Sequence, residues 1–306
     1  MLKIKRILHP TDFSPSANQA LPHALFWARQ YQAELHLLHA IVLHEDDPHN
    51  SAHHFPNVAE LQQKLKDLAA TQMAADIGNH QVEGLSIKQA QVRGIAPAAV
   101  ILDYAQSEDM DLIVMGTHGH RGLEHLFMGS VAEEVVRMAR CSVFTVRQQK
   151  TPKSVENIRN ILVPLDFSDH SKTALAYAKA MAARYKAKLA LLHIIEESLH
   201  PAFYVTGESS IFDLVPDIKA KSEAGLRKMF DETPGPTVEI EVQVAEGRAA
   251  RDIVKFAEEQ DSDLIVIATH GLTGIEHFLI GSIAEKVVRR APCPVFTVKS
   301  FGKSLL

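Results

Sequence analysis

Short apolar runs alternate with longer amphipathic stretches along the whole chain. In the first half the runs Ile4–His9, Leu35–Ile41, Leu85–Val92, Leu112–Met115 and Val143–Val146 predict five strands. Between them, Ala17–Tyr31, Val58–Ile77, Ala96–Gln106 and Ser130–Met138 place apolar residues three and four apart, which predicts helices. Strands alternating with helices in this way imply an α/β fold, with a mostly parallel, doubly wound sheet covered by helices on both faces. Runs such as Asp111-Leu112-Ile113-Val114-Met115 are apolar after the first residue, as strands buried on two sides require. Pro10 and Asp12 end the first strand, and Ser14 or Ser16 can cap the helix that follows. In the second half the predicted strands are Ile161–Pro164, Leu189–Ile195, Val238–Val244, Leu264–Ile267 and Val295–Val298. His200–Pro216 reads as an irregular loop. Trp27 and the Met and Phe residues at helical spacing read as core or interface.

The two halves are copies. DLIVMGTHGHRGLEHLFMGSVAEEVVRMARCSVFTV, residues 111–146, aligns without a gap to DLIVIATHGLTGIEHFLIGSIAEKVVRRAPCPVFTV, residues 263–298, and 23 of 36 positions match. ILHPTDFS near the start recurs as ILVPLDFS. The polar segment 147–157, with Pro152, reads as a linker, so the expected domains are 1–150 and 151–306. Cys141 and Cys293 fall at equivalent places and read as small core residues rather than a disulfide. Hydrophobic residues make up 46% and charged residues 23%, the balance of a globular protein, and a net charge of −5 gives no pull toward nucleic acid or anionic lipid. No apolar run is long enough to span a bilayer. The start has no secretory-leader pattern, so a cytoplasmic location is the expectation.

Ligands of open α/β sheets bind at the carboxyl ends of strands, where the winding reverses. The first strand runs into Pro10-Thr11-Asp12 and the fourth into Gly116-Thr117-His118-Gly119. Gly129-Ser130 then opens a helix. Glycines let backbone amides approach an anion, and a helix N-terminus offers unpaired N–H groups with partial positive charge. A polyanion is therefore expected on the amides of Gly119, Gly129, Ser130 and Val131 and on the Ser130 hydroxyl. Asp12, acceptor-only when ionised, suits a ribose hydroxyl, a base amine or a metal.

The spacing G-x2-G-x9-G-[S/T], together with P-T-D-F-S after the first strand, resembles the ATP-binding class of the universal stress protein family. The resemblance covers nearly the whole chain, twice. It implies two tandem Rossmann-like domains of the adenine nucleotide alpha hydrolase type. It also implies ATP or another adenine nucleotide as ligand, with Mg2+ or Mn2+ as an optional companion of the phosphates. Asp12 and the backbone at Ala40 would face the adenosine, Gly116 to Ser130 would wrap the phosphates, and Pro10, Thr11 and Val131 are further cofactor-binding candidates. In the second copy Pro164, Asp166, Ile194, Gly271, Gly281, Ser282 and Ile283 match, but Ala268 and Leu165 replace Gly116 and Thr11. If the first glycine needs positive φ, alanine there costs about 1 kcal/mol; otherwise it is nearly harmless. The second site is expected to be weaker. The implied role is nucleotide-dependent regulation in a stress response. A slow ATPase or phosphotransferase, and a nucleotide-free partner-binding scaffold, are the alternatives. The apolar final strands are expected at sheet edges, and the resemblance implies that they form an internal pseudo-dimer, with a further homodimer left open.

Other motifs are weaker. Thr117-His118-Gly119-His120 spells a nucleotidyltransferase-like T-x-G-H, but after the wrong strand, and the second copy ends in Leu272. Glu124-His125 and Glu276-His277 recur and read as solvated loop pairs rather than proton shuttles. His118 and His270 either touch phosphate or hydrogen-bond backbone. His44, His49, His53 and His54 have metal-ligand chemistry without rigid spacing, and read as a weak divalent-metal candidate within a solvated loop.

Overall fold

The computed structural model describes residues 2–42, 58–119, 128–149, 156–196, 210–271, 280–299 and 301–306. The chain divides into two compact units, Ile4–Pro152 and Lys153–Leu306, the second joined by Met1–Lys3. The first unit runs β1 (Arg6–Pro10), α1 (Pro15–Tyr31), β2 (Glu34–Val42), α2 (Val58–Gly78), β3 (Ile87–Gly94), α3 (Pro97–Ser107), β4 (Leu112–Gly116), α4 (Ser130–Met138) and β5 (Ser142–Val146). Its strands lie in the order β3-β2-β1-β4-β5, and every pair is parallel. The second unit repeats this as β6 (Asn160–Pro164), α5 (Asp169–Tyr185), β7 (Lys188–Ile195), α6 (Ile211–Leu214), α7 (Ile218–Glu232), β8 (Ile240–Glu246), α8 (Ala249–Glu259), β9 (Leu264–Ala268), α9 (Ser282–Arg290) and β10 (Val295–Val298). Its order is β8-β7-β6-β9-β10, again parallel throughout.

Five parallel strands with crossover helices bury both sheet faces. All five residues of β4 and of β9 are buried. Trp27 on α1 is fully buried, its ring 5.6 Å from Phe144 of β5, so the expected core role holds. Cys141 and Cys293 are buried and are not joined in a disulfide. The aspartate opening each DLIV run is structural. Asp111 Oδ2 accepts the Lys5 and Arg6 amides at 2.6 and 2.9 Å, and Asp263 Oδ2 accepts those of Arg159 and Asn160 at 2.9 and 3.0 Å. Each carboxylate thus starts the neighbouring strand.

Several expectations shift: β3 and β8 begin at Ile87 and Ile240 rather than at Leu85 and Val238. The first strand begins at Arg6 rather than Ile4, and the N–H of Lys3 instead donates to the Leu305 carbonyl at 2.7 Å within the second unit. The stretch expected to be irregular over 200–216 holds one turn of helix, α6. Ser210 caps it by accepting the Phe212 amide at 3.1 Å while donating to Glu246 at 2.6 Å. A capping serine ahead of so short an apolar run leaves little periodicity to detect. Residues 200–209 lie outside the described residues. Among the described residues no helix is long and apolar enough to cross a membrane.

Candidate functional site

In the strand order β3-β2-β1-β4-β5 the winding reverses between β1 and β4, so their carboxyl ends flank a crevice. A cleft of about 780 Å³ opens there. Pro10, Thr11, Asp12, Ala40, Gly116, Gly119, Gly129, Ser130 and Val131, the whole first-copy set read from sequence, line it together. Sequence reasoning missed its apolar wall. Leu38, Ile41 and Met115 come from strand ends, Leu65 from α2, and Ile95 and Ile101 from around α3. Leu38, Ile41, Met115 and Ile101 are buried while Ile95 is exposed at the rim, and only the fold gathers them.

α1 sets one side. Ser14 is the N-cap and accepts the Ala17 amide at 3.2 Å, with Pro15 in the first turn. Ser16 has a different role, because its hydroxyl accepts the His118 amide at 3.3 Å. Ser14 Oγ donates to the His118 carbonyl at 3.4 Å, so both serines hold the loop after β4. Gly116 is not among the positive-φ glycines. A Cβ there would come within 2.5 Å of Ser16 Oγ and 2.7 Å of the Ser16 carbonyl. Close strand–helix packing is therefore its requirement, and the positive-φ argument for alanine at the equivalent position falls away. Gly119 has a separate reason: a Cβ on it would stand 2.5 Å from Asp12 Oδ2. In the second unit Gly271 faces Asp166 Oδ2 in the same way.

Gly129 ends this loop, its amide donating to the Thr117 carbonyl at 2.7 Å. It is the N-cap of α4 at φ −65 and ψ 147, and it has no side chain with which to cap. The first amides of α4 have no intrahelical acceptor, so they present donors and partial positive charge toward the cleft. Gly281 repeats this at the head of α9, with its amide 2.6 Å from the Thr269 carbonyl. His118 and His270 each place Nδ1 against the neighbouring threonine hydroxyl, Thr117 at 2.8 Å and Thr269 at 3.2 Å.

At the turn after β1, Ser14 N–H donates to Asp12 Oδ1 at 3.0 Å and Phe13 N–H to Thr11 Oγ1 at 3.0 Å. Phe13 itself sits at φ 63, a left-handed conformation that costs a non-glycine residue on the order of 1–3 kcal/mol. Beneath the site His9 is buried on β1, with Nδ1 2.8 Å from the Val114 carbonyl, to which it donates. Burial holds the His9 pKa down to about 4, against the opposing pull of the Val114 carbonyl and the Asp12 charge.

The universal stress protein family model matches residues 3–147 and again 157–299. The chain belongs to the universal stress protein family. A universal stress protein of Methanocaldococcus jannaschii is 35% identical over 146 residues, which span 47% of this chain and 84% of that relative. One from Bacillus subtilis is 29% identical over 144 residues, 45% of this chain and 97% of the relative. Each alignment spans about one half of this universal stress protein, whose length holds two family domains in tandem. A crystal structure of a universal stress protein from Archaeoglobus fulgidus matches 96% of this chain and 98% of its own, with a TM-score of 0.64 at 22% identity, a likeness of fold.

The second-copy residues follow the same plan. Pro164 ends β6, Ile194 lies on β7, and Gly271, Gly281, Ser282 and Ile283 stand at the loop and the first turn of α9. The candidate metal histidines His44, His49, His53 and His54, and the pairs Glu124-His125 and Glu276-His277, lie outside the described residues. Among the described residues no three His, Cys, Asp or Glu side chains gather as a metal site.

Proposed function

We propose that this universal stress protein binds ATP or a related adenine nucleotide in the cleft at the carboxyl ends of β1, β2 and β4, and acts as a nucleotide-dependent regulator. One observation supports this above the rest: a single cleft joins an anion-binding end to an apolar end. The anion-binding end is the side-chain-free N-terminus of α4 with the glycine loop before it. The apolar end, with Leu38, Ile41 and Ile101, suits a flat heterocycle. Asp12, an exposed acceptor between them, suits a ribose hydroxyl. The donor set also fits a divalent ion arriving with the phosphates: one carboxylate, Asp12, and one hydroxyl, Ser130, leave the remaining positions to phosphate oxygens and water.

The test is ATP titration of the full chain, with and without Mg2+. In Ser130→Ala the hydroxyl donor to a charged oxygen is lost, worth about 1.5–3 kcal/mol, so affinity at the first cleft falls about tenfold or more. Gly129→Val sets a branched side chain where phosphate must approach and should abolish binding at that cleft. Its Cβ would lie 3.3 Å from the Thr117 carbonyl oxygen, a tight contact that the loop backbone must relax, so circular dichroism first establishes that the variant is folded. Unchanged affinity in both folded variants refutes the assignment. Adenine nucleotide released from the denatured, purified protein supports it.

A further inference from the structure

The turn that carries the aspartate is strained in both units, and each time a histidine from the next strand braces it. Phe13 stands at φ 63 and Phe167 at φ 64, although neither is glycine. The His39 ring stacks on Phe13 with centroids 4.6 Å apart, and the His193 ring meets Phe167 at 4.6 Å with a steeper tilt. His39 Nδ1 lies 2.9 Å from the Thr11 carbonyl and His193 Nδ1 2.8 Å from the Leu165 carbonyl. A carbonyl oxygen only accepts, so Nδ1 carries the proton in both rings. Each histidine therefore grips the turn at two points, the carbonyl before the aspartate and the aromatic ring after it. The grip survives where the residue before the aspartate changes from Thr11 to Leu165, because it uses backbone there. The turn in turn aims the carboxylate: Asp12 Oδ1 takes the Ser14 amide at 3.0 Å and Asp166 Oδ1 the Ser168 amide at 3.1 Å, while each Oδ2 faces its loop glycine.

We propose that His39 and His193 are positioning residues, which hold the residue after the aspartate in its left-handed conformation and thereby fix Asp12 and Asp166 toward Gly119 and Gly271. The part of this that concerns ligand affinity rests on the nucleotide reading above; the conformational part does not.

Four variants of the full chain test it: His39→Ala, His39→Asn, Phe13→Gly, and His39→Ala combined with Phe13→Gly. Asparagine places an amide donor near the Nδ1 position, and glycine adopts positive φ without support. Backbone chemical shifts of residue 13 report its left-handed state without ligand. They should move to an extended or right-handed value in His39→Ala and stay in His39→Asn. ATP affinity at the first cleft should fall about tenfold in His39→Ala, and recover in His39→Asn and when Phe13→Gly is added. In an Asp12→Asn background the His39→Ala loss should vanish. Residue 13 remaining left-handed in His39→Ala overturns the proposal, as does a loss of affinity that glycine does not rescue. Wild-type protein that binds no ATP defeats the nucleotide reading instead, and the chemical shifts then decide the positioning role alone. Should His39→Ala fail to fold, His193→Ala with Phe167→Gly gives the same comparison in the second unit.

Discussion

The turn after the first strand reads Thr11-Asp12-Phe13-Ser14 in one unit and Leu165-Asp166-Phe167-Ser168 in the other, with the same strained backbone in both. Around that shared frame the two units differ in what they bury. The first carries His9 under its cleft, where the second has Val163. The first also pairs His36 Nδ1 with the Tyr104 hydroxyl at 2.9 Å, and the equivalent positions of the second are Ala190 and Phe256. Both members of that buried hydrogen bond have changed together. Losing both leaves neither a stranded donor nor a stranded acceptor, whereas losing one would cost about 1–3 kcal/mol. The second unit has its own buried polar group. Lys179, where the first has Leu25, donates to the Phe230 and Thr233 carbonyls at 3.0 and 2.7 Å and closes the end of α7. Duplication kept the backbone devices that shape the cleft and let the support beneath them diverge.

The largest expected difference is in acid. His9 is neutral in the folded state, with its pKa held near 4 by burial, while in the unfolded chain it titrates at the ordinary value of 6.5. Below that ordinary value the unfolded state takes up a proton that the folded state refuses. The His9 contribution is therefore complete above pH 6.5, declines as pH falls toward 4, and is flat below. The shift corresponds to about 3 kcal/mol across that window. Val163 gives the second unit no such term. Urea unfolding at pH 7 and pH 4.5 should show the first unit losing more stability than the second, and His9→Val should remove about half of the difference, the rest coming from His23, which burial also holds near a pKa of about 4 and whose counterpart in the second unit is Tyr177. Equal acid sensitivity in wild type and His9→Val would show that His9 does not contribute.

Next in size is the exchange at the end of the fourth strand. Gly116→Ala forces a methyl against the Ser16 backbone and hydroxyl, an overpacking expected to cost about 2 kcal/mol. The second unit already carries Ala268 there, buried, and has His170 where the first has Ser16. Its helix has accommodated the methyl, so Ala268→Gly should cost no more than about 1 kcal/mol, through backbone entropy and a small void. Thermal or denaturant unfolding of the two variants measures both. A Gly116→Ala protein as stable as wild type would show that α1 can retreat without penalty.

These contrasts also show what the sequence could and could not reveal. The strands were legible because parallel strands buried on both faces are apolar runs, and the glycine spacing was legible because the loops recur at fixed distances. Every first-copy residue named from sequence for the nucleotide lines the same cleft. The role of Gly116 was not legible. A glycine needed for φ and a glycine needed for close packing look alike until the Ser16 backbone is placed beside it. Nor was His39 legible, since a histidine at the end of an apolar strand gives no sign of the carbonyl it will meet. Leu65 and Ile95 were hidden for a related reason, as α2 and the β3–α3 connection reach the cleft only through the crossover geometry.

The smallest expected difference is in ligand affinity. Ala268 no longer explains a weaker second site, because at the equivalent Gly116 an added methyl would meet Ser16 of α1 rather than the route of an anion. Two other substitutions remain. Thr11 is buried and its hydroxyl accepts the Phe13 amide, a bond that Leu165 cannot make and whose space it fills with an apolar branch. Glu196 takes the place of Val42, a residue that lines the first cleft, and its carboxylate accepts the Ala249 amide at 2.6 Å. A negative charge at that position opposes an incoming polyanion, although the bond to the head of α8 offsets part of it. The helix N-terminus at Gly281-Ser282 is intact, so anion attraction persists. The first cleft should therefore bind ATP about tenfold more tightly than the second. Calorimetry on the full chain can separate the two, with Gly281→Val isolating the first cleft and Gly129→Val the second. Adding Leu165→Thr and Glu196→Val to the Gly129→Val protein should recover most of the gap. Equal affinities in the isolated clefts, or no gain from the paired reversal, would show that neither residue governs the second cleft.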